Sequence, residues 1–376
     1  MRVVQLDTFE QVHEYGVCWD DLLNMSKDNH VFQTLEWQET WWKHFGAKRR
    51  LVLLAVEDHG RILALAPLMD SMYRLSIAKM RIIGFIGAPA SDYQSFILVG
   101  ESASYARMIL DYIKGLPWDC IELKNIPNGS ETAKELKTSS GKPLALKERE
   151  MDVCTFVPLP NTFDEYFQKL HKKMRHNLRQ RERRLRNKYK LEYRSHSQMN
   201  LTLKEAMETF FKLHQQRWQS KGYEGKFADP VFRNFHLDLA RRFDERGWLR
   251  LYFLTLDGEP VATDYCYQYG QKMYCYLTGF NPQYSEYGVG NITALHSIGI
   301  CIKSGLREYD MLRGEHSYKD SWASLTRRTI EFSAARWKPV SKAYQWLVKS
   351  KIVPSLPNRL HKRALLRKPE LNIKRE

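Results

Sequence analysis

The 376-residue chain lacks the features that announce several functional classes. No apolar run approaches the ~20 residues that span a bilayer, which argues against an integral membrane protein. None of the six cysteines (Cys18, Cys120, Cys154, Cys266, Cys275, Cys301) stands in the C-x₂-C spacing of a zinc or redox centre. Scattered in this way they read as reduced thiols, and no metal is expected. The first residues, Met1 to Asp7, turn acidic and polar without the apolar core of a signal peptide. The expected compartment is the cytoplasm, with peripheral contact at the inner face of the membrane left open. A P-loop, a Gly-x-Ser-x-Gly elbow and a His-Glu-x-x-His helix are all missing, and with them the strongest marks of nucleotide hydrolases, serine hydrolases and metalloproteases. What remains, 43% hydrophobic and 27% charged residues, is the composition of a folded chain long enough for two or three domains.

Negative charge is also scarce, with 59 Lys+Arg against 43 Asp+Glu and a net charge of +16. The excess is local. Residues 166–190 hold 11 Lys/Arg and one Glu, residues 336–376 hold 12 and two, and the other 310 residues sum to −4. Two basic segments on a near-neutral body exclude a uniformly cationic nucleic-acid coat.

Periodicity organises the body into two similar halves. In the first, residues 31–46 carry Leu35, Trp41, Trp42 and Phe45 at helical spacing, with Thr34 as cap and Gly46 as stop. Apolar runs at 51–56 and 61–68 flank Glu57-Asp-His-Gly60 as a hairpin. A strand over 95–99, a helix over 102–114 and a strand over 120–123 follow. The second half repeats the order with a helix over 206–220, a hairpin of 249–256 and 260–269, a strand over 273–280, a helix over 291–304 and a strand over 308–312. The hairpin residues Asp58 and Asp257 stand 199 positions apart, so a duplicated domain and a chance agreement of two α/β segments are the alternatives. The domains expected are 1–155, 156–335 and a basic amphipathic tail, 336–376. Between the halves, Phe167, Leu170, Met174, Leu178, Leu185 and Tyr189 give residues 166–190 the pattern of one basic helix with a single dry face. Its cations either face water or grip phosphate, with Lys172 and Arg175 foremost. The tail mixes Trp337, Tyr344 and Trp346 with lysines, as a segment at a membrane interface or a helix packed on the body would.

The chemistry-bearing glycines are in Tyr287-Gly288-Val289-Gly290-Asn291, between a strand and a helix. Such a junction is either a plain tight turn or a place where backbone N–H groups and a helix N-terminus meet an anion such as a diphosphate. Strand, Gly-x-Gly loop and helix after a hairpin resemble the coenzyme A-binding core of the GNAT acetyltransferases. That loop usually reads Gln/Arg-x-x-Gly-x-Gly/Ala; here Ser285 takes the first position, and the first half has Gly100-Glu-Ser-Ala-Ser104 with no second glycine. A longer set of segments is similar to one bacterial family: Phe32-Gln-Thr-Leu-Glu-Trp37 with Trp42 and Phe45-Gly46, Ala66-Pro-Leu68, Ser91-Asp92-Tyr93, the basic helix, Arg217-Trp218, and Tyr309-Asp310 through Gly314-Glu-His-Ser-Tyr318-Lys319. This is the acetyltransferase-like, CelD-like group often encoded with cellulose or exopolysaccharide biosynthesis, itself similar to the Fem-type peptidyl transferases with tandem GNAT domains. It covers about residues 30–335.

The resemblance implies an α/β (α+β) fold of tandem GNAT-like domains and direct acyl transfer to an amine, from acyl-CoA or, in the Fem branch, from aminoacyl-tRNA, without an enzyme-bound intermediate. Such chemistry needs donors to the thioester carbonyl, a base and a proton source. Backbone N–H groups of Tyr276, Leu277, Thr278 and Gly279 are the candidate donors beside the loop. Asp264 or Glu315 is the candidate base; Asp264 is either buried in its strand, with its pKa raised, or turned to solvent. Tyr318 is the candidate acid, or a core tyrosine, and Lys319 a counter-charge for phosphate or oxyanion. Asp92, Tyr93, Arg217 and Trp218 join Lys172 and Arg175 as candidate substrate contacts. The expected acceptor is an amine of a small, polysaccharide or lipid-linked precursor. A Fem-like peptidyl transferase bound to tRNA and a non-catalytic GNAT scaffold or RNA-binding protein are the alternatives.

Overall fold

A computed structural model describes residues 1–15, 18–75, 78–138, 144–314 and 319–336. The elements are β1 (Arg2–Leu6), α1 (Phe9–Glu14), α2 (Trp19–Met25), α3 (Leu35–Phe45), β2 (Arg49–Asp58), β3 (Arg61–Leu75), β4 (Ala78–Phe85), β5 (Ile97–Leu98), α4 (Ser102–Gly115), β6 (Cys120–Pro127), α5 (Glu131–Thr138) and β7 (Lys147–Pro158). They continue with α6 (Phe163–Lys169), α7 (Lys172–Lys188), β8 (Leu191–Ser195), α8 (Leu203–Gln219), α9 (Pro230–Glu245), β9 (Leu249–Leu256), β10 (Glu259–Tyr269), β11 (Lys272–Phe280), α10 (Val289–Lys303), β12 (Glu308–Arg313) and β13 (Leu325–Ala335). The chain divides into two compact units. One is Met1–Asp152 with the described residues from Arg328 onward, the other Val153–Arg327, so the division falls inside β7 and inside β13. Residues 328–335, grouped with the second domain from sequence, cluster with the first unit. The tail from residue 337, with Trp337, Tyr344 and Trp346, lies outside the described residues.

In the first unit the strands run β1-β2-β3-β4-β6-β13, continuing into the first half of β7. β1, β2, β3 and β4 pair antiparallel in sequence order, and β6 joins β4 parallel over Ile82↔Cys120 to Gly84↔Glu122. Thr34 caps α3 as expected, its side chain accepting the N–H of Trp37. α4 presents Ala106, Ile109, Leu110 and Ile113 to Val52, Leu54, Ala64 and Ala66 of the central strands. The strand expected at 95–99 is reduced to β5, and the third strand is β4, which the sequence reading passed over. The chain before β5 spends its backbone groups on loops and side chains instead of a ladder: Gln94 N–H donates to the Asn125 carbonyl and Phe96 N–H to Thr132 Oγ1.

The second unit runs β12-β11-β10-β9-β8, with the second half of β7 beside β12. All neighbours are antiparallel except β11 and β12. Hairpin, strand, helix and parallel strand therefore recur in both units, the order expected from sequence. α10 covers one sheet face with Leu295, Ile298 and Cys301. α8 and α9 bring Phe210 and His236 onto Tyr265 and Tyr276 of the other, beside Tyr267. α9 is absent from the sequence reading, although its Asp229 cap and Pro230 at the first turn are start signals.

The basic segment also departs from expectation. The segment 166–190 is two helices, because Leu170 and His171 are extended and Leu170 is buried. The cause is an anchored joint: Arg175 Nη1 donates to the Gln168 and Leu170 carbonyls at 2.7 and 2.8 Å, satisfying the open end of α6.

α8 approaches β11 most closely at Gly279, where an added Cβ would stand 2.5 Å from His214 N and 2.8 Å from Leu213 C. Backbone cannot yield as a side chain can. Gly279→Ala is therefore expected to lower stability by about 1–3 kcal/mol, read from urea unfolding; an unchanged midpoint contradicts this packing.

Candidate functional site

The local pairing of β11 creates the site. β11 stays on β10 as far as Ala262↔Phe280, but it pairs with β12 only from Lys272↔Glu308 to Tyr274↔Asp310. β12 meanwhile keeps β7 to Arg313↔Cys154. Beyond Tyr274 the parallel strands part, leaving one edge of β11 without a strand partner among the described residues. The β10–β11 register also jumps, with Tyr265 opposite Leu277 and Cys266 opposite Cys275. Tyr276 is the extra residue of a bulge, which re-aims neighbouring groups and leaves a peptide outside the ladder.

Two side chains hold β12 in its departing course. Asp310 Oδ1 accepts the N–H of Leu312 at 2.8 Å, and Leu312 sits at φ +59. Lys319, 3% exposed, donates its three ammonium hydrogens to the carbonyls of Met311, Leu312 and Arg313 at 3.1, 3.1 and 3.0 Å. These three carbonyls draw the Lys319 ammonium onto the end of β12.

The gap is a cleft of about 220 Å³. Its walls include Tyr276, Leu277, Thr278 and Gly279 of β11, Gly290 and Asn291 of α10, Arg217 and Trp218 of α8, Asp264 of β10, and Lys319. These sequence candidates share one cavity. Tyr287 and Val289, by contrast, are buried in an apolar cluster with Leu185 and Ile292. Gly288 takes φ +62, and an added Cβ would stand 2.5 Å from an Arg181 guanidinium nitrogen. Gly290 is open, with Phe280 at 3.7 Å from an added Cβ. No side chain caps α10, and the Asn291 and Ile292 N–H groups both return to the Gly288 carbonyl.

Other candidates stand elsewhere. Asp92 and Tyr93 are buried in the first unit, where Tyr93 packs on His30 and Phe32. Arg175 is the joint of α6 and α7 described above, and Lys172 is exposed at the start of α7. Glu315 and Tyr318 lie outside the described residues. Among the described residues no group of three or more His, Cys, Asp or Glu could hold a metal ion, and no helix is long and apolar enough to cross a membrane.

Asp264 is 1% exposed. Burial pushes its carboxyl up to about 7, while hydroxyls of Ser297 and Tyr193 and then the charge of Arg217 pull the other way. Arg217 is held by Thr278, its Nη1 donating to Oγ1 at 2.5 Å, and lies over the Phe280 ring. His214 and Tyr309, absent from the sequence candidates, also line the cleft. Trp218 Nε1 donates to His214 Nε2 at 3.0 Å, which puts the proton of the neutral ring on Nδ1. Burial holds that ring well below the usual histidine range. Burial raises the Tyr309 hydroxyl, which keeps its proton. The (i, i+4) spacing of His214 and Trp218 was a readable signal; the exposure of Tyr309 to a cleft depends on strand parting and was not.

Residues 172–320 match the family model for an acetyltransferase (GNAT) domain, a match that falls within the second unit. The fold of the whole chain is similar to FemX, at 12% identity over 91% of this chain and 99% of that one, with a TM-score of 0.65. A C-terminal domain of a putative lysylphosphatidylglycerol synthetase from Agrobacterium fabrum is similar at 10% identity over 89% and 96%, with a TM-score of 0.52. L-PGS from Bacillus licheniformis is similar at 13% identity over 82% and 94%, with a TM-score of 0.50. No curated protein matches the sequence.

The buried carboxyl makes stability depend on pH. The unfolded chain ionises Asp264 near the ordinary aspartate value of about 3.9, whereas the folded chain retains the proton to about 7. Asp264 therefore subtracts stability as pH rises through that window. Asp264→Asn is expected to be more favourable at pH 8 than at pH 4 by on the order of 3 kcal/mol in urea unfolding. An effect independent of pH contradicts the burial of a raised carboxyl.

Proposed function

We propose that this protein is an N-acyltransferase that moves an acyl group from acyl-CoA to an amine in the cleft between β11 and β12. The observation that supports this reading is the convergence in that cleft of the β11 edge from which β12 parts, the Tyr276 bulge, the first turn of α10 and the buried carboxyl of Asp264.

The residues present fit the donor. Unspent N–H groups at the start of α10 suit the diphosphate, with the Arg181 cation against Gly288, and the open Gly290 leaves room for it. Acyl-CoA supplies an activated thioester carbonyl when bound. Peptide N–H groups of residues 276–279, on the strand from which β12 parts, polarise that carbonyl. Asp264, with a pKa near neutrality, accepts the proton of the incoming amine. Tyr309 on the β12 side, or Tyr318, delivers a proton to the departing sulfur. Glu315 is the alternative base, and Lys319 acts by holding the end of β12. Arg217 and Trp218 line the acceptor side. The CelD-like resemblance favours an amine of a polysaccharide or lipid-linked precursor, met in the cytoplasm or at the inner face of the membrane.

A second reading, an aminoacyl-tRNA donor, is favoured by the exposed cations Lys172, Lys173, Arg179 and Arg183 on α7. Mass measurement of ligands carried through native purification separates the two, CoA marking one donor and RNA the other.

Calorimetric titration of the full chain with acetyl-CoA and longer acyl-CoAs is expected to show one site per chain. Gly290→Glu, which puts a carboxylate at the proposed diphosphate position, is expected to weaken binding at least tenfold. If no acyl-CoA binds the intact protein, the acyl-CoA reading falls.

A further inference from the structure

Tyr193, from the outermost strand β8, is not part of the cleft wall, yet its hydroxyl donates to Asp264 Oδ2 at 3.4 Å. Its ring is sandwiched between two others. Tyr252 stacks on it at 5.3 Å and 24°, and His296 of α10 at 5.3 Å and 20°. His296 in turn has its Nε2 3.4 Å from Glu182 Oε1. Glu182 is the one acid among the 11 Lys/Arg of residues 166–190, and that His296 contact, ahead of the Arg186 one, holds its carboxyl down at about 2. A carboxylate on α7 thus stands beside an imidazole on α10, which stacks on a phenol of β8.

We propose that Tyr193, clamped by His296 and Tyr252, is the positioning residue of Asp264, orienting its carboxylate toward the cleft and setting the pH at which it takes a proton. The inference rests on the reading of Asp264 as the base. Tyr193 touches the reaction only through Asp264.

The chemistry favours this direction of control. Burial raises the Tyr193 hydroxyl well above the usual tyrosine range, so it remains a donor at any pH where Asp264 titrates. A donor to a carboxylate stabilises the charged form, so removing it must raise the carboxyl. Tyr252 and Cys266 also face Asp264 from the neighbouring strand positions, and Ser297 and Cys301 face it from α10. Arg217 faces it from α8 and Tyr309 from β12. Burial holds the Tyr252, Tyr309, Cys266 and Cys301 protons in place, leaving Arg217 as a fixed charge and the hydroxyls as the adjustable part.

The test uses the full chain with ¹³C-labelled aspartate side chains, followed by NMR across pH, the Asp264 signal being identified by its loss in Asp264→Asn. In the unaltered protein it is expected to titrate near 7. In Tyr193→Phe, which keeps ring and stacking, it is expected to titrate about one pH unit higher. Glu182→Gln, on a surface helix, is expected to shift it the same way by a smaller amount, and supplies the test if Tyr193→Phe does not fold. An Asp264 titration near 7 that neither substitution moves overturns the positioning role and leaves the base reading standing. An Asp264 that titrates as an ordinary carboxylate, near 4, removes the base reading and this inference with it.

Discussion

The second unit depends on a strand pair that is broken off after three residues. A parallel partner normally continues for as long as both strands last, because each unpaired peptide group costs a hydrogen bond. Here β12 leaves β11 at Asp310 and follows β7. Two charged side chains secure that divergence by spending themselves on backbone: Asp310 on the Leu312 N–H, and Lys319 on three consecutive carbonyls. With β12 so held, the β11 edge opens into a cleft, and the Tyr276 bulge turns its peptides within it. The peptide groups that elsewhere complete the sheet have no strand partner here among the described residues.

The electrostatics follow from the same opening. Asp264 stands on β10, one strand behind the gap, enclosed enough for burial to raise its carboxyl and close enough to line the cleft. Around it the neighbours are aromatic hydroxyls and thiols that keep their protons, with Arg217 as the nearby fixed charge. The cation is tied to Thr278 of β11 and pressed on Phe280, so the strand that offers the peptide edge also sets the distance of the positive charge.

Much of this was legible in the sequence because it is local. The hairpins, α4, α10 and the Gly288 junction announce themselves by alternation, helical spacing and glycine, and Asp264 stood out as a carboxylate in an apolar strand. What was missed is non-local. β4 reads as an ordinary apolar stretch until it is seen beside β6, and the 95–99 segment reads as a strand although its backbone groups go to Asn125 and Thr132. The basic segment looks like one helix because its apolar spacing runs through the break; only the buried Leu170 and the Arg175 bonds reveal the joint. Lys319 reads as a cation for an anion, and its burial on three carbonyls depends on where β12 turns. α9 alone was within reach, through Asp229-Pro230.

The central claim is that the parted strands form the acyl-donor site. Hydrogen exchange of the full chain with and without acetyl-CoA tests it most directly. The account predicts slowed exchange in residues 275–280 and at the start of α10, with little change in the first unit. Acetyl-CoA that binds while leaving both segments unprotected would contradict it.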